Sequence, residues 1–300
     1  LFILSMMIGV LGPKGSYSEK AAGQWLAEIY PGESASTHSE SCRDHVLHYC
    51  DDIQDVFSFL REGSVDIGLV PVENSIEGSV GVTLDMLLEH DVTIIGETVV
   101  PIEHCLLSKG RKEDIRIILS HPQGLAQCRH FLKENFRGAE LRTTGSTSHA
   151  AKLATEFEEM AAIASRESAQ MYGLNILVSN IQDRRHNHTR FLIMVRSDDT
   201  SAGYPNRNYE DRTYKTSIIV YLDRDRPGAL YEILGEFASR KINLTRIESR
   251  PSKKTLGDYL FYIDLEGKMS DDIIKEAIYN VESKVGMLKM LGSYTASGPV

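Results

Sequence analysis

The chain has few cysteines, no surplus of positive charge and no long apolar run, and each shortage removes a class of function. Its four cysteines, Cys42, Cys50, Cys105 and Cys128, form no framework of the kind that staples small secreted domains. That points to a reducing, cytoplasmic setting. Acidic residues outnumber basic ones, 42 to 33, for a formal net charge of −9. A chain so charged is not built mainly to bind nucleic acid. No apolar run reaches the ~18 residues needed to span a bilayer, so no membrane role is expected. The first ten residues are apolar, yet they lack the charged start and small-residue cleavage site of a signal peptide. They read as a short tail entering a strand at Ile8 to Leu11. His38, Cys42, His45, His48 and Cys50 have the residue types of a zinc site but not the spacing of a known finger or ribbon. A surface loop or helix with scattered histidines is expected there, and no metal.

What is present is an α/β pattern. At 300 residues and 42% hydrophobic content, roughly two domains with a sizeable core are expected. Ile8 to Leu11 ends in Gly12-Pro13-Lys14-Gly15-Ser16, followed by a helix from about Ser18 to Tyr30. This strand, glycine loop and helix can present N–H groups to an anion, although the glycine spacing is no dinucleotide fingerprint. Asp52 opens a helix with Ile53, Val56, Phe57 and Leu60 on one face, and Gly63 stops it. A buried strand from Val65 to Val72 runs into Glu73-Asn74-Ser75, at the strand end where open α/β sheets bind ligands. The alternative is a polar turn with Asn74 or Ser75 capping the next helix.

Two strands follow, at Val92 to Ile95 and Val99 to Ile102. Ile115 to Leu119 ends at Ser120-His121-Pro122-Gln123, and a helix carries Gln127 in its first turns and Leu125, Cys128, Phe131 and Leu132 on one side. Ser120 is read either as facing a cleft with Gln127 or as a plain helix cap. Strand-then-serine steps recur at Ser146-Thr147-Ser148 and at Ser165.

Residues 184–191, Arg184-Arg185-His186-Asn187-His188-Thr189-Arg190-Phe191, set one hydroxyl, Thr189, among three arginines and two histidines. Such a pocket suits a small polyanion whose leaving group needs a hydrogen bond. The alternative is a polar loop entering a strand. A linker at 198–213 separates a second unit of βαββαβ order, a ferredoxin-like split.

Taken together, Pro71-Val72-Glu73-Asn74-Ser75 with Glu77-Gly78, Ser120-His121-Pro122-Gln123 with Gln127-Cys128, Ser146-Thr147-Ser148, and Asn187 with Thr189-Arg190-Phe191 occur in the order seen in prephenate dehydratases, and the chain resembles that family. Gly124, Tyr231 and His149 depart from its usual residues. The last unit resembles an ACT domain, its Gly228-Ala229-Leu230 and Glu248-Ser249-Arg250-Pro251 being similar to phenylalanine-binding motifs. The resemblance implies a two-lobed catalytic domain at 6–197, like periplasmic binding proteins. Its lobes would be 6–102 with 180–197, and 103–179, followed by an ACT domain at 214–296. It also implies the conversion of prephenate to phenylpyruvate, water and carbon dioxide, without metal or organic cofactor. Thr189 would hydrogen-bond the departing oxygen, and Asn74, Ser120 and Gln127 would orient the substrate. Arg190 and capped helix starts at Ser16, Ser75, Ser120 and Ser146 would balance its charge, with Glu73, Thr147 and Phe191 completing the pocket. L-Phenylalanine would act as effector at Gly228, Ala229, Leu230, Asn243, Leu244, Glu248, Ser249, Arg250 and Pro251. An ACT sheet with one open face commonly pairs with a second copy, which implies a homodimer or homotetramer. Arogenate dehydratase, or a non-catalytic sensor of small anions or amino acids, remains as the alternative reading.

Overall fold

The computed structural model describes residues 6–30, 46–184, 186–199, 213–222, 226–252 and 258–297. His38, Cys42 and His45 of the histidine and cysteine cluster, Arg185 and most of the expected linker lie outside these. In chain order the elements are β1 (Met7–Leu11), α1 (Tyr17–Ile29), β2 (Val46–Cys50), α2 (Ile53–Glu62), β3 (Ile67–Asn74), β4 (Gly78–Ser79), α3 (Gly81–Glu89) and β5 (Val92–Pro101). Then come β6 (Cys105–Ser108), β7 (Ile117–Ser120), α4 (Pro122–Gln127), α5 (Arg129–Asn135), β8 (Glu140–Thr143), α6 (Thr147–Leu153), β9 (Met160–Ala164), α7 (Arg166–Tyr172), β10 (Asn175–Val178) and β11 (His188–Arg196). The last are β12 (Tyr214–Tyr221), α8 (Ala229–Ser239), β13 (Leu244–Pro251), β14 (Tyr259–Glu266), α9 (Asp272–Glu282) and β15 (Met287–Thr295). Among the described residues no helix is long and apolar enough to cross a membrane.

The chain divides into two compact units, Leu1–Thr83 with Val99–Phe191, and Leu84–Thr98 with Leu192–Val300. In the first unit β1 lies between β2 and β3, all parallel. The run Ile8, Val10, Ile67, Leu69 and Val70 is fully buried, as expected for strands covered on both faces. A second sheet has the order β10-β6-β9-β7-β8. The apolar residues Leu106, Ile118, Ala161 and Ile163 pack to one of its sides and Leu107, Leu119, Ala162 and Ala164 to the other. These two sheets are the two-lobed α/β arrangement expected from the sequence. Asp52 caps α2 through Oδ1, and Gly63 closes it at φ 74°.

In the second unit β12 is flanked by β14 and β15, and β13 pairs with β14, all antiparallel. With α8 and α9 this is the expected βαββαβ order. Both helices cover one face, burying Ile218, Val220, Ile233, Phe237, Ile263, Leu265, Ile274 and Ile278. The alternate residues of the strands point to the opposite face. That face is met by residues 84–98 of the same unit. Tyr262 donates to the Leu84 carbonyl, Lys289 to the Leu88 and His90 carbonyls, and Lys215 to Glu97 at 2.7 Å. The expectation of an open ACT sheet face therefore changes, because this segment occupies much of it. Among the described residues β13 is the terminal strand of its sheet.

Candidate active site

Residues from both sheets of the first unit line one cavity of about 1050 Å³. The β1–α1 loop gives Lys14 and Ser16, the end of β3 gives Asn74, and the start of β11 gives Thr189 and Phe191. His104 stands just before β6, while Gln127 ends α4 and Ser146 and Thr147 open α6. Gln127 occupies that place because the helix expected to run on through Cys128 breaks there, at φ −115° and ψ 21°. The break frees the Gln127 carbonyl, which accepts from the Asp183 N–H at 2.7 Å.

Thr189 is 9% exposed, and its hydroxyl belongs to a buried amide network. Asn74 Oδ1 accepts from the N–H groups of Ile76 and Glu77 at 3.0 and 3.1 Å. That fixes the orientation of the Asn74 amide, so its nitrogen must donate. It donates to Asn187 Oδ1 at 2.8 Å and to Thr189 Oγ1 at 2.9 Å. Asn187 Nδ2 in turn donates to Gln127 Oε1 at 3.1 Å. Gln127 Nε2 donates to the Glu77 carboxylate at 3.2 Å, which fixes that amide as well. His104 Nε2 lies 2.8 Å from Gln127 Oε1 and is the protonated nitrogen of a neutral ring. Burial holds the His104 pKa below its ordinary 6.5, against the opposing effect of the Gln127 hydrogen bond. Every bond in this chain thus has one direction. Thr189 accepts from Asn74 and keeps its own proton to donate into the cavity.

Several sequence expectations are corrected here. Successive residues of a strand face opposite ways. Thr189 and Phe191 line the cavity, whereas Arg190 lies on the other face of β11 with its guanidinium 3.8 Å from Glu73. Neither Arg190 nor Glu73 is brought to the cavity. Ser75 caps no helix, because β4 intervenes before α3. Its hydroxyl accepts from the His188 N–H at 2.9 Å, tying β3 to the entry of β11. Ser120 is fully buried and donates to the Ile163 carbonyl at 2.8 Å, and α4 is capped by the His121 ring instead. Ser16 does cap α1 and line the cavity, but Glu19 places its own carboxylate on the Gly15 N–H at that helix start. Ser146 caps α6 by accepting from the His149 N–H at 3.0 Å. Of the cationic devices expected, the start of α6 is the one that faces the cavity free of a built-in carboxylate.

Asn187 and His104 complete the network. Asn187 belongs to the motif shared with Thr189 but was given no site role from sequence; His104 gives no sequence signal beyond following a strand. The lysines Lys14 and Lys152 also line the cavity and were missed. Among the described residues no group of three His, Cys, Asp or Glu side chains could hold a metal ion.

The effector motifs lie in the second unit. Gly228 adopts φ 86° at the start of α8, a conformation that favours glycine and explains it there. Ala229 is buried and Leu230 half-buried behind it. Asn243 is exposed just before β13, and Leu244 packs on the helix-covered core. Along β13, Glu248 and Arg250 point to one face and Ser249 and Pro251 to the exposed side. Glu248 accepts from Arg246 at 2.7 Å, and Arg250 reaches Asp85 on α3 at 2.9 Å.

A family model described as "Prephenate dehydratase" matches residues 8–199, and one described as "ACT domain" matches 216–283. The curated "Prephenate dehydratase" of Methanocaldococcus jannaschii is 42% identical over 285 residues, covering 94% of this chain and 95% of the relative. The crystal structure of prephenate dehydratase in complex with L-Phe from Arthrobacter aurescens has a TM-score of 0.79 and 33% identity, covering 96% of this chain and 89% of that one. A structure described as GqqA, a novel type of quorum quenching acylase, has a TM-score of 0.80 and 28% identity, covering 97% and 98%. This chain belongs to the prephenate dehydratase family and carries a C-terminal ACT domain.

Proposed function

We propose that the protein converts prephenate to phenylpyruvate, water and carbon dioxide, and that L-phenylalanine inhibits it through the ACT domain. The bond from the ring to its carboxylate breaks, and its electron pair moves through the ring to expel the hydroxyl on the opposite carbon. Aromatisation drives the step, and the departing hydroxide takes up one proton from solvent to become water. The observation that carries the reading is the direction of the Asn74 to Thr189 hydrogen bond, which leaves the threonine proton for the departing oxygen. A threonine hydroxyl is a weak acid, so it acts by stabilising the developing charge rather than by full transfer. Asn74 and Gln127 orient through the same network, with Ser16, Ser146, Thr147 and Phe191 in the cavity wall. An acylase reading is less well supported. No serine or threonine hydroxyl lining the cavity is hydrogen-bonded to a histidine ring among the described residues.

In this reading 6–197 is the catalytic domain, 198–213 a linker and 214–296 the regulatory domain. The L-Phe complex of the Arthrobacter relative supports phenylalanine as effector. Within the second unit Arg250 of the effector motif pairs with Asp85 on α3. The terminal place of β13 in its sheet supports assembly as a homodimer or homotetramer, and the cysteine usage a cytoplasmic setting. The test is turnover by the full chain at equal substrate concentration, prephenate followed by the absorbance of phenylpyruvate and arogenate by the phenylalanine it would release. Turnover of prephenate is expected. Turnover of neither substrate overturns the reading, and a large preference for arogenate replaces it with the amine-bearing substrate.

A further inference from the structure

Prephenate carries two carboxylates, both at the ring end opposite the departing hydroxyl. Thr189 serves the hydroxyl end, so cations are needed elsewhere in the cavity. The arginines of the Thr189 strand do not supply them, because Arg190 faces Glu73 and Arg196 pairs with Asp198 and Asp199. The start of α1 does not supply one either, because Glu19 already occupies it.

Two lysines remain, and the fold places them on one wall. Ser148 on α6 donates its hydroxyl proton to the Lys14 carbonyl, and the Tyr172 hydroxyl lies 3.2 Å from Ser148 Oγ. Ser168 on α7 holds the neighbouring Gly15 carbonyl at 3.2 Å. The β1–α1 loop is thereby pinned to α6 and α7. Lys152 stands four residues after Ser148, one helical turn on, and so shares its side of α6. Both lysines line the cavity, and neither has an acidic side chain within ion-pair distance among the described residues. The acids that line the cavity, Asp51 and Asp52, come from the β2–α2 turn, where Asp52 is engaged in capping α2. An ammonium left unpaired at a cavity wall attracts an anionic ligand, and the two match a dianion in charge.

We propose that Lys14 and Lys152 are the receivers of the two substrate carboxylates, fixing the ring so that its hydroxyl meets Thr189. This deepens the prephenate reading and rests on it. Lysine serves here as a point charge, so arginine can replace it in part, whereas glutamine cannot.

The experiment is steady-state kinetics on the full chain with prephenate, for wild type, Lys14→Gln, Lys152→Gln, the double variant, and Lys14→Arg and Lys152→Arg. Each glutamine variant is expected to raise KM about tenfold with kcat within about threefold, and the double variant about a hundredfold. The arginine variants should recover most of the loss. Raising ionic strength should raise KM in wild type and do so much less in the double variant. Unchanged KM in the glutamine variants overturns the proposal, as does an equal loss in the glutamine and arginine forms. Absence of wild-type turnover would instead refute the prephenate reading itself, so the two failures are distinguishable.

Discussion

In the proposed reaction the deciding residue is Asn74, because it sets the direction of the bonds around Thr189. Asn74→Asp keeps both acceptances from Ile76 and Glu77 but loses the donations to Asn187 Oδ1, Thr189 Oγ1 and the His188 carbonyl. The new carboxylate would face Asn187 Oδ1 and draw the Thr189 proton back toward itself. Turnover should fall by ~10²–10³ with the fold intact, measured as kcat beside a circular dichroism melt. His104 gives a second test. Its pKa is lowered in the folded chain, so between 6.5 and that lower value the unfolded chain binds more protons. Its contribution to stability is present above 6.5 and is lost as pH falls toward the folded value. The denaturant midpoint should drop across that window, and His104→Gln should flatten the drop. A variant with the wild-type slope would assign the pH dependence to other groups.

At the scale of elements, much was legible and the exceptions have local causes. Asp52, Ser146 and Ser165 were readable as caps because each is followed directly by its helix. Ser120 was not, since one more residue, His121, precedes Pro122 and caps with its ring. The strand expected at 92–95 and that at 99–102 are one strand, β5, continuous through Gly96-Glu97-Thr98 because Glu97 and Thr98 are buried rather than turned out. Arg190 was assignable from sequence by alternation, given a buried Phe191, but charge took precedence over periodicity. The lysine wall was not legible, because Ser148 and Lys14 are 134 positions apart and only the fold joins them. One element contact is sharply testable. Gly292, at φ 149°, lies in the bulge of β15, where an added Cβ would sit 2.2 Å from the Ile94 carbonyl oxygen. Gly292→Ala should destabilise the protein by about 3 kcal/mol, read from urea unfolding.

For the whole molecule, inhibition and binding are linked. If phenylalanine weakens prephenate binding, prephenate weakens phenylalanine binding by the same factor, and calorimetry with a slow variant such as Thr189→Ala can compare the two. Asp85→Asn removes the charge opposite Arg250 without touching the cavity. It should leave phenylalanine affinity unchanged while reducing the inhibition it causes. The central claim is that a single hydroxyl, held as a donor by Asn74, expels the ring oxygen of prephenate. It is tested most directly by kcat at saturating prephenate for Thr189→Ala and Thr189→Ser. The account expects a loss of ~10²–10³ for alanine and a partial recovery for serine, with melting temperatures near wild type. Turnover of the alanine variant close to that of the wild type would contradict it.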